Sequence, residues 1–201
     1  MKMAKKFLAV ALAGVLALSV LTGCANGVKS KDVADSLTKM GIKVEQSKDV
    51  DKTAKSTLTA IEAIINAPTN AAKPDTDASK IKLSNAVKAD GKVIKTNGFE
   101  VADTDNKVQK ALGMMAAGTA AETANKEKQV RVALVEIKNA KKDASLQAAL
   151  VKDALVEAQA ATVANTTTHK VAETGKLGTA TTKDGKYILV VIVNDVVAKN
   201  A

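Results

Sequence analysis

The sequence predicts an α+β fold, with helices packed on an antiparallel or mixed sheet. Apolar residues at helical spacing predict several amphipathic helices, and alternating apolar and polar residues predict strands between them. Two Asp-Gly pairs, Asp90-Gly91 and Asp184-Gly185, each lie between apolar runs and predict β-hairpins.

The first third of the domain predicts a helix, a short strand and a longer helix. Residues 31–40 have helical spacing, and Gly41 ends that helix. Residues 42–45 alternate and predict a strand, and a second helix is expected from about Asp49 to Asn66. The apolar positions of the two helices are Val33, Ala34, Leu37, Met40, Ala54, Leu58, Ile61 and Ile65.

The middle of the chain predicts a linker, a hairpin and a helix. Pro68 and Pro74 bracket a loop or internal linker. Apolar residues at 81–87 and 93–101 flank the Asp90-Gly91 turn, and helical spacing returns from Asn106 to Gly118. Thr119 to Glu122 has the pattern of a capping box.

The last third predicts a strand, a long helix and a second hairpin. Val130 to Ile137 mostly alternates, and Ser145 is expected to cap a helix to about Ala161, with Leu146, Leu150, Ala154 and Ala158 on one face. Residues 166–169 predict a polar loop or strand edge. Tyr187 to Val193 is apolar on both faces, which predicts a central, fully covered strand.

The two halves share the order helix, short strand, long helix and hairpin. The hairpins turn at Asp90-Gly91-Lys92 and Asp184-Gly185-Lys186. A duplication into repeats 31–110 and 111–201 is therefore possible, with coincidence of common turns as the alternative.

Composition excludes several function classes. Aromatic residues make up only 1% of the chain, which argues against a lectin, a glycan hydrolase and a binder of single-stranded nucleic acid. The net charge is +9, but lysines and acidic residues are interspersed along most of the chain. A solvated mixed-charge surface is one interpretation, and attraction to anionic lipid headgroups or cell-wall polyanions is the other.

We assign no catalytic, cofactor-binding or metal-binding residue from the sequence. Cys24 is the only cysteine, so an intrachain disulfide and a cysteine zinc site are both excluded. His169 is the only histidine and lies among polar residues, where we expect a surface side chain rather than a catalytic base. No serine lies in a nucleophile-elbow motif.

Short-range acid pairs have a structural and a functional interpretation. Asp75 and Asp77, like Asp103 and Asp105, are two positions apart and are expected as helix caps or loop residues, with calcium binding as the alternative. A hydrolase site assembled across the fold would use acids such as Asp103, Glu122 and Glu136. Met114 and Met115 are expected in a core, rather than on an adaptable binding surface.

The N-terminal segment has the layout of a secretory signal peptide. Lys2, Lys5 and Lys6 precede an apolar run from Phe7 to Val20, which ends at Leu21-Thr22-Gly23-Cys24. Those four residues resemble the lipobox of bacterial lipoproteins. The resemblance implies cleavage after residue 23, a lipid on Cys24, a tether over 24–30 and a folded domain over 31–201.

The resemblance implies a membrane-anchored protein that faces outside the cytoplasm. Ala25 follows the cysteine, so the aspartate typical of inner-membrane retention is absent and an outer membrane is favoured where two membranes exist. We expect a non-enzymatic interaction module whose partners are membrane lipid and either an anionic envelope polymer or an envelope protein. The alternatives are a ligand- or ion-binding accessory protein and the hydrolase described above.

A second resemblance concerns the folded part. Gly41-Ile42-Lys43-Val44, followed by Asp49-Val50 and Ala54, faintly resembles the opening of CAP (SCP-like) extracellular domains, and residues 187–191 resemble their closing strand. The histidine and glutamate cleft residues of that family have no counterparts in this chain. The resemblance therefore implies no functional residue.

Overall fold

The computed structural model describes residues 28–65, 83–87, 93–96, 99–102, 107–114, 127–161 and 167–199. Its helices are α1 (Ser30–Lys39), α2 (Lys48–Ile65), α3 (Lys107–Ala111) and α4 (Ala144–Ala154). Its strands are β1 (Val44–Gln46), β2 (Leu83–Val87), β3 (Val93–Thr96), β4 (Phe99–Ala102), β5 (Lys128–Glu136), β6 (Val156–Gln159), β7 (His169–Val171), β8 (Gly175–Thr181) and β9 (Tyr187–Ala198).

Six strands form one mixed sheet, and the predicted α+β fold is confirmed. The strand order is β1-β8-β9-β5-β6, and β7 pairs with the far end of β9. Strand β1 is parallel to β8, whereas the other pairs are antiparallel. Strands β2, β3 and β4 form a separate antiparallel sheet.

Strand β9 is covered on both faces, as its apolar sequence predicts. Leu189 and Val191 pack with α2 and α3, whereas Val190 and Ile192 pack with α1 and α4. Alternate residues of a strand point to opposite faces, so an uninterrupted apolar run requires a layer of helices on each side. We call these two sides the α2 face and the α1/α4 face.

The hairpin between β8 and β9 turns where the Asp-Gly pair predicts. The Thr182 N–H donates to the Tyr187 carbonyl over 3.0 Å, and the Gly185 N–H donates to the Thr182 carbonyl over 2.8 Å. Gly185 has a φ of 67°, in the left-handed region that glycine adopts without steric cost.

The described strands of the two halves are arranged differently in the sheets. The hairpin of the first half lies in the separate sheet, whereas the β8–β9 hairpin lies at the centre of the main sheet. Strand β1 also pairs with β8 across the proposed boundary.

The predicted long helix from Ser145 to Ala161 is wrong at both ends. Its cap is Asp143, whose carboxylate accepts the Leu146 N–H over 2.9 Å. The helix ends at Ala154, Leu155 is extended, and β6 follows as an edge strand paired with β5. Strand pairing with β5 outweighs the helical propensity of this alanine-rich segment.

Two further predicted elements are shorter than expected. The helix expected over 106–118 ends at Ala111 and is followed by Gly113, whose φ is 70°. The strand expected over 93–101 is divided into β3 and β4, which pair as an antiparallel hairpin.

Candidate functional site

The proposed lipid-attachment residue, Cys24, lies outside the described residues, but the beginning of the fold limits its position. Val28 packs against the core of the α1/α4 face. Ser30 is buried, and its Oγ lies 2.7 Å from Oγ1 of Thr179. The expected tether covers residues 24–30, whereas residues 28–30 belong to the fold, so at most three residues separate Cys24 from it.

Helix α1 runs back along β8, so its N-terminus points towards the β8–β9 turn. Ser30 contacts Thr179 near the end of β8. At the other end of α1, Thr38 Oγ1 donates to the Val44 carbonyl over 2.9 Å, and Val44 pairs with Gly175 at the start of β8. The chain therefore enters the fold from the end of the sheet that carries the β8–β9 turn.

Two turns meet at this end of the sheet. The Ile137 N–H, just after β5, donates to the Lys186 carbonyl in the β8–β9 turn over 2.6 Å. The connection from β5 to α4 is fixed by buried Gln147, whose Nε2 donates to the Ala140 carbonyl over 2.8 Å. Residues 137–143 and 182–186 thus form one continuous surface.

Five lysines lie on this surface or at the start of α1. In the described part of the chain, none of them has a carboxylate within ion-pair distance. Their side chains are exposed, except that Lys141 is half-buried. We call these residues the basic end: Lys29, Lys138, Lys141, Lys142 and Lys183.

Two acids near the basic end are used in local hydrogen bonds, whereas Glu136 is exposed at the end of β5. Asp143 caps α4. Asp184 accepts from Thr182 Oγ1 over 2.7 Å and from the Lys186 N–H over 3.0 Å. Burial raises the pKa of Asp184, but these hydrogen bonds and the Lys186 charge outweigh it and leave the pKa below its usual value.

Helix α4 adds two exposed leucines beside the basic end. Leu146 is 42% exposed and Leu150 is 36% exposed, and these are the exposed large hydrophobic side chains among the described residues. They are four positions apart and share one face of the helix. The opposite face, with Gln147, Ala148 and Val151, is buried, so the predicted core face of this helix is wrong.

Two lysines at the other end of the sheet are paired with acids. Lys43 Nζ lies 2.7 Å from Glu173, and Lys176 Nζ lies 2.7 Å from Asp195. Hydrogen bonding and charge within the first pair raise the pKa of Lys43 and lower the pKa of Glu173. Hydrogen bonding to Asp195 likewise raises the pKa of Lys176.

Arg131, the single arginine of the chain, forms a polar cluster that the sequence analysis missed. Its Nη2 donates to Asn194 Oδ1 over 3.1 Å, and Asn194 Nδ2 donates to the Ala172 carbonyl over 2.9 Å. Burial lowers the pKa of the half-buried Arg131, and the nearby Glu157 charge opposes this. These bonds join β5, β9 and the β7–β8 connection, so the cluster has a structural role.

Of the residues singled out for chemistry, the structure describes His169, Glu136 and Met114, which lie in different parts of the fold. His169 is exposed at the start of β7, with Nδ1 2.8 Å from Thr168 Oγ1, and Glu136 is exposed at the end of β5. Met114 is buried in the core of the α2 face, as expected. The other candidate residues lie outside the described residues: Asp75, Asp77, Asp103, Asp105, Met115 and Glu122.

Within the described ranges, no three histidine, cysteine or acidic side chains form a group that could hold a metal ion. No helix in those ranges is long and apolar enough to cross a membrane. Comparison with protein families, with characterised proteins and with solved structures finds no match. The assignment of function therefore depends on the residues themselves.

Proposed function

We propose that this chain is a lipoprotein of the bacterial cell envelope, held in a membrane by lipid on Cys24. Its α+β domain then acts outside the cytoplasm as a non-enzymatic binding module. The observation that carries the proposal is Leu21-Thr22-Gly23-Cys24, placed directly after a basic and then apolar leader.

The beginning of the fold is compatible with an anchor at that position. Val28 is the first described residue, and it already packs against the core. Cleavage before Cys24 and acylation of its thiol would therefore remove or modify nothing in the described core.

The electrostatics of three described carboxylates favour a surface role. Asp49 and Glu173 are exposed, each is hydrogen-bonded to a lysine, and each has a lowered pKa. Asp184, in the β8–β9 turn, also has a lowered pKa. A catalytic acid at neutral pH needs the opposite shift, from burial or a neighbouring negative charge.

Replacement of Cys24 by Ser tests the anchor. In cells supplied with labelled palmitate, the unmodified chain should carry label and sediment with membranes, and Cys24→Ser should do neither. The matched control is Cys24→Ser combined with Ser145→Cys, which restores a thiol at an exposed position of α4. Label on the control, or unchanged sedimentation of Cys24→Ser, would contradict the proposal.

A further inference from the structure

We infer that the domain lies directly on an anionic bilayer through its basic end, with Leu146 and Leu150 of α4 against the interface. This inference rests on the proposed lipid anchor at Cys24. It adds a specific partner, the headgroups of anionic phospholipid, and a fixed orientation of the domain.

The short connection to Cys24 limits the distance between the membrane and the fold. Four residue steps separate Cys24 from Val28, which span at most about 14 Å when fully extended. Because α1 runs back along β8, its N-terminus and the β8–β9 turn lie at the same end of the sheet. An anchor at Cys24 therefore holds the basic end, and not the opposite end, near the headgroups.

The charge of this end complements an anionic surface. Lys138, Lys141, Lys142 and Lys183 have no carboxylate within ion-pair distance in the part of the chain that the structure describes. At the opposite end of the described fold, Lys43 and Lys176 are paired with acids but Lys128 and Lys170 are not, so the position of the anchor, and not charge alone, selects the basic end. The screening length is about 8 Å at physiological salt, so the lysines experience the field of the headgroups when the connection, at most about 14 Å long, is not fully extended.

The exposed leucines supply apolar contact at the edge of the same surface. Lys142 immediately precedes the cap of α4, and Leu146 lies in its first turn. Exposed leucine next to lysine is typical of segments that lie in a membrane interface, where apolar side chains reach the acyl boundary and lysines remain at the headgroups. Leu150 continues this strip by one helical turn.

The orientation is testable with single introduced cysteines, because Cys24 is the only native cysteine and its thiol is consumed by acylation. The full-length acylated chain carries a fluorophore on Asn139→Cys, at the basic end, or on Thr174→Cys, at the opposite end. Each is placed in phosphatidylcholine vesicles containing one third phosphatidylglycerol and a headgroup nitroxide quencher. We expect quenching several-fold stronger at position 139 than at position 174.

A charge variant separates surface attraction from the effect of the short connection. Replacement of Lys138, Lys141, Lys142 and Lys183 by Gln should greatly reduce the difference between the two labels. Each lysine near an anionic surface contributes about 1 kcal/mol, or about fivefold in association. Pure phosphatidylcholine vesicles should have the same effect as the quadruple variant, and thermal melting checks that the variant is folded.

The outcomes distinguish the inference from the proposed function. Equal quenching of the two labels on acylated protein overturns the inference alone, and leaves the basic end for an anionic envelope polymer or protein. A difference that persists in the quadruple variant overturns the role of the lysines. Absence of acylation on Cys24, measured by mass on the same samples, overturns the anchor and the inference together.

Discussion

Gly178 of β8 lies directly against the backbone of Val50 in the first turn of α2. A Cβ atom on Gly178 would be 2.0 Å from the carbonyl carbon of Val50 and 2.2 Å from the Asp51 nitrogen. Backbone atoms cannot move aside as the end of a flexible side chain can. This contact therefore sets how closely α2 packs on the sheet.

Replacement of Gly178 by Ala should destabilise the domain by roughly 3 kcal/mol or more, because α2 must move away from β8. Chemical denaturation of both proteins measures the change in the free energy of unfolding. The control is Gly41→Ala, because a Cβ there meets no atom within 4 Å and incurs only the strain of a φ of 92°. That strain costs about 1–2 kcal/mol, and equal losses in the two variants would contradict the close contact.

Replacement of Asp51 by Ala should cost about 1–3 kcal/mol, because it leaves a sheet-edge N–H without a partner. Strand β1 ends at Gln46, and beyond it the Asp51 Oδ1 accepts the Thr179 N–H over 2.9 Å. Hydrogen exchange should show faster exchange at Thr179 in the variant. Asp35→Ala is the control and should cost less than about 0.5 kcal/mol, since Asp35 forms an exposed helical ion pair with Lys31.

Replacement of Asn194 by Ala should destabilise the domain by about 1–3 kcal/mol, because it removes the bonds to Arg131 and to the Ala172 carbonyl. Gly175→Ala should act on the same cluster, since its Cβ would lie 2.8 Å from Asn194 Oδ1. The two effects should be less than additive in a double-mutant cycle. If the two losses in the free energy of unfolding were fully additive, Asn194 and Gly175 would act independently, which would contradict a shared cluster.

Exposed and buried positions of the α4 region should respond differently to truncation. Leu146→Ser should change the free energy of unfolding by less than about 0.5 kcal/mol, because Leu146 is 42% exposed. Ile137→Ala should cost about 2–5 kcal/mol, because Ile137 is only 1% exposed. Thermal and urea unfolding measure both, and a large loss at Leu146 would indicate that this face is covered.

Asp184 should make stability pH-dependent in the acidic range. Its folded-state pKa lies below 3.8, the ordinary value of an aspartate in the unfolded chain. The contribution of Asp184 to the free energy of unfolding is therefore complete at pH values above its pKa in the unfolded chain. It is lost as the pH falls through the lower pKa of the folded state. The loss between about pH 6 and pH 3 should be smaller in Asp184→Asn by a fraction of a kcal/mol, because the site is largely solvated. If the free energy of unfolding depended on pH in the same way in the unmodified protein and in Asp184→Asn, this contribution would be contradicted.

Local patterns predicted much of the fold. The absence of polar residues from both faces of residues 187–193 required a covered strand, and Asp184-Gly185 required a turn. Nothing local to residues 156–159 showed that they pair with β5, so their alanine-rich sequence was interpreted as helix. The close approach of Val50 to Gly178 joins residues far apart in the chain, and no spacing rule predicts it.

The candidate surface was only partly predictable. The four residues that resemble a lipobox are contiguous and can be read from the sequence alone, whereas the basic end combines the start of α1 with two turns from different parts of the chain. Lys141-Lys142 and Lys183 are visible as individual charges, but their proximity depends on the bond between Ile137 and Lys186. The Arg131–Asn194 pair is equally non-local, since it depends on the register of β5 against β9.

The intact mass of the full-length chain extracted from membranes tests the central claim most directly. The account predicts a polypeptide that begins at Cys24 and carries the added mass of a diacylglyceryl group on its thiol, with or without an acylated amino terminus. A chain that retains residues 1–23, or that begins at Cys24 with a free thiol, would contradict the lipid anchor.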